Sequence, residues 1–467
     1  MPQEPFDDAA SLEAISPIDG RYAPQLAPLR PYFSESALIR YRVKVEIAYF
    51  LALCDHPLPE LEGVTHMERD KLHQLDVEFD AKEAAAVKHI EKVTNHDVKA
   101  VEYYIKERMA EAGLERYTEF VHFGLTSQDI NHTALPMMVR DALLRELMPR
   151  YQELLARLEE LAHTWRAVPM LARTHGQPAS PTSLGKEIRV FCDRLHNQLE
   201  QLEAVPFSGK FGGATGNFNA HRVAYPEIDW PRFADAFVED RLGLKRQQHT
   251  TQIEHYDSMG ALAHGLSRLN TILIDLCRDF WSYISMEYFR QRIEAGEVGS
   301  SAMPHKVNPI DFENAEGNLG MANAVFGYLA GRLPLSRLQR DLTDSTLSRN
   351  LGVPFGHTLL ALRSLTKGLN KLQLNQTRLE EDLNANWAVL AEPIQTMLRR
   401  VGYPKPYEAL KALTRTGAAM DQESLHAFIK SLDIPEWARE RLLALTPHDY
   451  TGYSTDPSPA SGSSGNA

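Results

Sequence analysis

Two long stretches of the chain repeat apolar residues in alternating steps of three and four. Between Glu254 and Phe289 the apolar positions are Met259, Leu262, Leu266, Leu269, Leu273, Leu276, Phe280 and Tyr283. From about Asp129 to Trp165 they are Leu143, Leu147, Tyr151, Leu154, Leu158, Leu161 and Trp165. This spacing predicts two long helices, each with an apolar seam for packing against other helices. Pro136 and Pro149 are expected to bend the second helix or to mark its turns.

Further helical patterns cover residues 36–54, 98–112, 184–205, 311–333 and 377–401, whereas alternating, strand-like runs are scarce. The predicted fold class is therefore all-α, with a central bundle of long helices. Helices of about 35 residues reach roughly 50 Å, which is longer than one chain of this size easily covers. We therefore expect a homo-oligomer.

Three Gly-, Pro- and Ser-rich loops separate the long helices, at residues 173–183, 208–221 and 296–309. The expected organisation is an N-terminal helical domain (1–116), a central helix-bundle domain (117–369) and a small helical C-terminal domain (370–454). The polar segment 455–467 is expected to be a disordered tail. Catalytic groups often lie on loops held by a rigid scaffold, so these three loops are the first places to look for chemistry.

Charge and composition exclude several classes of protein. The 62 acidic and 50 basic residues give a formal net charge of −12, which disfavours binding to nucleic acid. No apolar run approaches the roughly 20 residues of a membrane span, and the acidic N-terminus does not resemble a secretory signal. A cytoplasmic protein is expected. Its three cysteines, Cys54, Cys192 and Cys277, are expected to be buried thiols.

The loop 299–309, Gly-Ser-Ser-Ala-Met-Pro-His-Lys-Val-Asn-Pro, contains the residue types of an anion site. Glycine and serine leave backbone amides free to face an anion, and Lys306 and Asn308 add a cation and a neutral donor. The loop is interpreted as a cradle for a carboxylate or phosphate. A flexible linker with a solvated lysine is the alternative.

Histidines are candidates for proton transfer near neutral pH. His175 stands out because Gly176 and Pro178 would fix a turn around it, and because Arg173 and Gln177 flank it and could hold an anion. His96, beside Asp97, could be a proton carrier with an orienting carboxylate or part of a helix cap.

The sequence indicates neither a metal ion nor a dinucleotide or P-loop nucleotide as a cofactor. No His-Glu-x-x-His or paired-cysteine spacing indicates a metal, so none is expected. The glycines of residues 209–216 have the wrong spacing for a dinucleotide fold, and no P-loop spacing occurs. No cofactor is predicted.

The loop 299–309 matches every fixed position of Gly-Ser-Ser-x-Met-Pro-x-Lys-x-Asn, and so resembles the signature of the fumarase/aspartase superfamily. That resemblance implies a helical three-domain fold, a homotetramer with sites at subunit junctions, and cleavage of a C–N or C–O bond that releases fumarate or a close relative. Other stretches resemble the adenylosuccinate lyase family, in the branch typified by enteric bacteria: residues 16–22, 94–99, 126–131, 173–178 and 339–345, with His305 in the signature.

This resemblance implies a C–N lyase that eliminates fumarate from adenylosuccinate, giving AMP, and from its imidazole-carboxamide counterpart SAICAR, giving AICAR. It implies Ser300 as general base, although the residues alone do not decide between Ser300 and Ser301. It implies His175 as general acid, with His96 positioning the substrate or tuning His175. Lys306 and Asn308 would bind the carboxylate whose charge grows in the intermediate.

The family also implies a set of residues that hold the substrate. They are Arg21, Tyr22, Asn95, His96, Asp97, Thr126, Ser127, Gln252, Ser301, Lys306, Asn308, Asn314, Arg340, Ser345 and Arg349. Arg21, Arg340 and Arg349 are the expected phosphate partners, because a guanidinium binds oxyanions in bidentate fashion. For Arg340, an ion pair with Asp341 or Asp344 is the alternative.

Two other functions are compatible with the same fold. One is a lyase acting on argininosuccinate or a smaller acid, which the motifs of the purine branch disfavour. The other is a catalytically silent scaffold, which would ordinarily have lost one of His96, His175, Ser300 or Lys306.

Overall fold

The computed structural model describes residues 12–292, 307–414 and 420–454. Within these ranges the chain is helical and its strands are only two or three residues long, so the all-α prediction is confirmed. The helices are α1 (Arg30–Phe33), α2 (Glu35–Cys54), α3 (His66–Val77), α4 (Ala81–Thr94), α5 (Asp97–Glu111), α6 (Ser127–Ala142), α7 (Met148–Thr164), α8 (Leu184–Glu203), α9 (Asn219–Ala224), α10 (Trp230–Ala236), α11 (Asp257–Ser285), α12 (Ile310–Arg332), α13 (Thr343–Ser348), α14 (Gly352–Lys371), α15 (Gln376–Asn384), α16 (Ala391–Arg400), α17 (Pro406–Thr414), α18 (Gln422–Ser431) and α19 (Glu436–Leu443).

In the described parts of the chain, eight short strands accompany the helices. They are β1 (Pro169–Met170), β2 (Arg173–Thr174), β3 (Gln177–Pro178), β4 (Thr182–Ser183), β5 (Ser208–Gly209), β6 (Lys245–Arg246), β7 (Phe289–Gln291) and β8 (Leu372–Leu374). The pairs β1–β4, β2–β3 and β7–β8 are antiparallel, and β5–β6 is parallel. The predicted loop 173–183 thus contains a tight hairpin.

The helix predicted over residues 254–289 is present as α11, with 29 residues. The helix predicted over 129–165 is interrupted: a π-helical turn, Leu143–Leu147, separates α6 from α7. Pro136 has no N–H to bond the carbonyl of residue 132, and His132 leaves helical geometry (φ −86°, ψ 15°). The bend expected at Pro136 is confirmed.

The single helix predicted over residues 377–401 is wrong. α15 ends at Asn384, Asn386 leaves the helical region (φ −125°, ψ 47°), and a 3₁₀ turn over Trp387–Leu390 precedes α16. Pro393 lies in the first turn of α16, where its missing N–H costs no hydrogen bond. The apolar pattern continues through the break because each of the three pieces buries apolar residues: Leu379 and Leu383 of α15, Leu390 of the 3₁₀ turn, and Ile394 and Leu398 of α16.

The chain divides into two compact units. The first comprises the described parts of residues 1–151, 197–274 and 315–363, and in it α2 packs against α6 and α4 against α5. The second comprises those of 152–196, 275–314 and 364–467, including the cluster around Trp387, Ile429 and Leu442. The predicted three-domain boundaries remain a prediction. Among the described helices, none is long and apolar enough to cross a membrane.

Candidate active site

His96 lies at the junction of α4 and α5, in the first unit. Asn95 ends α4 in the left-handed region (φ 48°), and His96 is the N-cap of α5, where its Nδ1 accepts the N–H of Lys99 at 3.1 Å. The Asp97 carboxylate is 3.9 Å from Nδ1, which is too far for a hydrogen bond. Of the two interpretations of His96, the structure supports the helix cap. In the neutral ring this bond leaves the proton on Nε2, on an exposed side chain.

Asp97 is fixed by two arginines. Its Oδ2 accepts from Arg42 Nη2 at 2.7 Å and from Arg349 Nη2 at 3.1 Å, and its Oδ1 accepts the N–H of Val98 at 2.9 Å. Burial raises the pKa of the Asp97 carboxyl, but the two guanidinium groups outweigh burial and hold the pKa below its usual range. Asp97 therefore presents a fixed negative charge at the start of α5.

Arg349, a predicted phosphate partner, bridges two carboxylates. It follows the last residue of α13, and its Nη1 donates to Glu35 Oε2 at 2.7 Å while Nη2 donates to Asp97. The other oxygen of Glu35 accepts from Lys88 Nζ at 3.1 Å. Charges therefore alternate along this row, and Arg349 already has counterions in the chain itself.

Arg42 connects this row of charges to the interior. Its side chain is 4% exposed, and its Nε donates to Asn131 Oδ1 at 2.9 Å. Asn131 donates to Gln128 Oε1 (2.6 Å), and Gln128 donates to Asp344 Oδ2 (3.1 Å). These residues line a polar cleft together with Ser345 and Arg349; its lining does not include Arg21, Tyr22, Gln252 or Arg340.

A buried histidine, which was not predicted, forms the floor of the cleft. His132 Nδ1 accepts the N–H of Glu254 at 2.7 Å, so in the neutral ring the proton is on Nε2, 3.2 Å from Asp344 Oδ2. Tyr256 also donates to Asp344 Oδ2, at 3.1 Å. Burial lowers the pKa of His132, so it is the neutral ring that donates to Asp344. Asp344 Oδ1 is buried and has no hydrogen-bond partner among the described residues.

A second buried pair supports Thr126 and Ser127, at the start of α6. Asp129 Oδ2 accepts the N–H of Thr126 at 2.8 Å, and Asp129 Oδ1 accepts from Lys210 Nζ at 2.7 Å. The same Oδ1 accepts the N–H groups of Gly212 and Gly213, at 2.9 and 3.1 Å. The glycine-rich loop 208–221 therefore binds a carboxylate of its own chain.

Arg340 contacts Gln252, another predicted site residue. Its Nη1 donates to Gln252 Oε1 at 3.4 Å, and Gln252 donates to the carbonyl of Ala214 at 3.1 Å. The alternative ion pairs of Arg340 are not among its described contacts, since Asp341 pairs with Arg337 at 3.0 Å. Arg340 Nε is buried and lacks a hydrogen bond within the described residues.

His175 lies in the second unit, at the tip of the β2–β3 hairpin. His175 (φ 54°) and Gly176 (φ 74°) form the two-residue turn, which confirms the predicted turn, and the histidine is exposed. Arg173 does not keep a free charge for an anion, because its Nη2 donates to both oxygens of Asp382, at 2.9 and 2.6 Å.

The remaining predicted residues fall in several places. Arg21 lies 5.9 Å from the ring of Tyr22, within a series of turns before α1. Asn308 precedes α12, and Asn314 is the fifth residue of that helix. Ser300, Ser301 and Lys306, with most of the signature loop, lie outside the described residues.

A family model described as Lyase matches residues 20–327, which makes the chain a lyase. Two solved structures share the fold: 3-carboxy-cis,cis-muconate lactonizing enzyme from Pseudomonas putida (TM-score 0.74, 20% identity, 92% of this chain and 94% of that one) and β-carboxy-cis,cis-muconate cycloisomerase from Acinetobacter calcoaceticus (TM-score 0.69, 18% identity, 92% and 96%). At such identities they support the fold alone.

The family follows from closer relatives. A model described as Adenylosuccinate lyase C-terminal matches residues 336–451. Adenylosuccinate lyase of Dictyostelium discoideum is 54% identical over 96% of this chain and 98% of its own length. That of Escherichia coli (strain K12) is 48% identical over 95% and 98%. The chain belongs to the adenylosuccinate lyase family.

Proposed function

We propose that this chain catalyses the β-elimination of fumarate from adenylosuccinate, giving AMP, and from SAICAR, giving AICAR, in purine nucleotide biosynthesis. The observation that carries this proposal is the 54% identity to an adenylosuccinate lyase over 96% of the chain. Both substrates are anions, and the cleft of the first unit is lined by Arg42 and Arg349, two cations that a substrate anion could reach.

The proposed chemistry requires a base, an acid and a group that stabilises growing negative charge. Ser300 is assigned as the base that removes a proton from the succinyl carbon next to a carboxylate. His175 is assigned as the acid that protonates the departing nitrogen, and its exposed position at a hairpin tip is compatible with reaching a substrate. Lys306 and Asn308 bind the carboxylate that gains charge, where a fixed cation is worth most.

His96 has a defined part in this proposal. Because its Nδ1 accepts a backbone N–H, the neutral ring can only donate through Nε2. A donor of that kind suits substrate positioning. The other proposed substrate-binding residues are Arg21, Tyr22, Asn95, Asp97, Thr126, Ser127, Gln252, Ser301, Asn314, Arg340, Ser345 and Arg349.

The proposed assembly is a homotetramer in the cytoplasm, with each site formed by residues of more than one subunit. Large apolar side chains on α12 remain exposed in the single chain, including Met321 (55%) and Tyr328 (58%), which supports self-association. Shared sites would explain why the predicted residues are distributed over separate parts of one chain.

The test is turnover by the purified full-length protein. Adenylosuccinate is followed by its ultraviolet absorbance and fumarate is quantified separately, with argininosuccinate and malate as control substrates. Loss of adenylosuccinate with an equal amount of fumarate is expected. Turnover of argininosuccinate or malate alone would replace the proposed substrate, and no turnover of any of the three would refute the proposed function.

A further inference from the structure

The hairpin that carries His175 is too short to hold its own shape. Each of its strands, β2 and β3, has two residues, and an isolated hairpin is at best marginally stable in water. His175 also has a positive φ, a conformation that is uncommon for residues other than glycine. The position of the His175 ring must therefore depend on contacts made by the flanking residues.

One flanking residue is held by a buried carboxylate. Asp382, which is 7% exposed, lies on α15 and accepts from Arg173 Nη2 through both carboxylate oxygens, at 2.9 and 2.6 Å. Tyr288 also donates to Asp382, and Asn386 donates to the Asp382 backbone carbonyl at 2.7 Å. The helix packs against β1, so the carboxylate has a rigid support.

The protonation of these groups fits a fixed ion pair. Burial lowers the pKa of Arg173, but its hydrogen bonds to Asp382 and Tyr288 raise the pKa above its usual value. Burial, reinforced by the Asp382 carboxylate, raises the pKa of Tyr288 to about 12. Around neutral pH, Asp382 therefore receives one charged donor, Arg173, and one neutral donor, Tyr288.

Two other contacts join the same segment to the C-terminal part of the chain. Ser180 donates to Glu392, which also accepts from Tyr450 at 2.9 Å, and Ser183 donates to the carbonyl of Ser454 at 2.8 Å. These contacts lie beyond β3, and Glu392 is exposed. Among the side-chain ion pairs and hydrogen bonds of the described residues, the Arg173–Asp382 pair is the one that acts within two residues of His175.

We propose that Asp382 is a positioning residue for proton donation by His175, and that it acts through Arg173 by fixing the hairpin to α15. This inference rests on the proposed function, in which His175 protonates the departing nitrogen. Asp382 itself does not touch the substrate. It sets the distance and angle from which the histidine donates.

The experiment is a double-mutant cycle on the full-length enzyme with adenylosuccinate. Asp382→Asn is expected to lower kcat about 10- to 100-fold, because small displacements of a reacting group are costly, and to change KM less than threefold. In the His175→Ala background the same substitution is expected to lower kcat less than threefold further. Glu392→Gln, the matched control, is expected to leave kcat within about twofold.

The inference would be overturned if the losses of kcat in the two single variants multiply in the double variant. It would also be overturned if Glu392→Gln lowers kcat as much as Asp382→Asn does. If Asp382→Asn does not fold, Arg173→Met removes the same ion pair from the hairpin side and must show the same dependence on His175. Failure of the proposed function would appear separately, as a wild-type enzyme without turnover. In that case, hydrogen exchange of the amides of residues 172–179 decides: faster exchange in Asp382→Asn than in Glu392→Gln supports positioning, and equal exchange refutes it.

Discussion

Lys210 carries its ammonium group where solvent does not reach, since both it and its partner Asp129 have no exposed side-chain surface. Burial lowers the pKa of Lys210, while the Asp129 carboxylate favours its charged form. Removing one partner of such a pair lowers the stability of the protein more than replacing both partners with apolar residues does. The reason is that a single substitution leaves an uncompensated charge inside the protein.

Lys210→Met is therefore expected to lower the free energy of unfolding by about 3–5 kcal/mol. Urea-induced unfolding followed by circular dichroism measures this change. Lys186→Met is the control, because Lys186 is half-exposed and pairs with Glu187 at the surface, where such a pair contributes about 0–1 kcal/mol. Equal losses in the two variants would contradict the argument.

His122 should make the stability of the protein depend on pH. Its Nδ1 donates to the buried Glu46 carboxylate at 2.5 Å; burial lowers the pKa of His122, but Glu46 outweighs burial and raises it. A histidine whose pKa is raised in the folded state contributes to the free energy of unfolding. The contribution is fully present when the pH is below the ordinary histidine pKa of about 6.5, and it is lost as the pH rises through the pKa of the folded state.

The difference in unfolding free energy between wild type and His122→Gln is therefore expected to be largest near pH 6 and to shrink towards pH 9. Urea unfolding at several pH values between these limits measures it. In a Glu46→Gln background the same His122→Gln difference should lose most of its dependence on pH, because the carboxylate that raises the pKa of His122 is gone. A His122 difference that stays constant or grows with pH would refute the role of Glu46.

At the scale of single residues, motifs predicted His96, Asp97, Arg340, Ser345 and Arg349 but could not predict their partners. Arg349 is paired with Glu35, which lies 314 positions away in the chain. Lys210 lies in a glycine-rich loop, where a lysine is typical of an anion-binding site. Its contact with Asp129 shows that its role is structural. His132 belonged to no motif and became visible only through its bonds to Glu254 and Asp344.

At the scale of elements, the period of apolar residues predicted where helices lie better than where they end. The apolar pattern of residues 377–401 continues through a 3₁₀ turn. Such a pattern indicates which side of the chain is buried, and that side stays buried on both sides of the break. The π-helical turn after α6 was equally invisible, since an extra residue per turn keeps both flanking segments helical.

Gly185 shows how closely two elements approach. It lies in the first turn of α8, and a Cβ there would be 2.3 Å from the carbonyl oxygen of Ala162 and 2.5 Å from Cα of Arg166. Both are backbone atoms, so Gly185→Ala must move one segment away from the other and is expected to cost about 1–3 kcal/mol or more.

Thermal unfolding measures that cost. Gly260→Ala is the control within a helix, because its Cβ would have no neighbour nearer than 3.4 Å. It should be neutral or stabilising by up to about 1 kcal/mol. A Gly185→Ala variant as stable as Gly260→Ala would show that the backbones can separate freely.

At the scale of the whole molecule, the length of the helices and the uncovered apolar residues of α12 both favour an assembly. Light scattering is expected to give four times the 52.7 kDa of one chain. Met321→Asp and Tyr328→Asp together should give smaller species and lose turnover, because the proposed sites need more than one subunit. Met67→Asp, at an equally exposed position on α3, should change neither the mass nor the turnover. A monomeric wild type, or full activity in a dissociated variant, would contradict the proposed assembly.

The bridge that Arg349 forms between Glu35 and Asp97 bears on how tightly the substrate binds and how readily the product leaves. If Arg349 receives the phosphate of the substrate, binding is an exchange of counterions, in which the incoming dianion displaces a carboxylate. In that case the displaced carboxylate would stay nearby and compete for the same guanidinium throughout the reaction. The nucleotide would then be held less tightly than an unpaired arginine would hold it, and the returning carboxylate would help to expel the product.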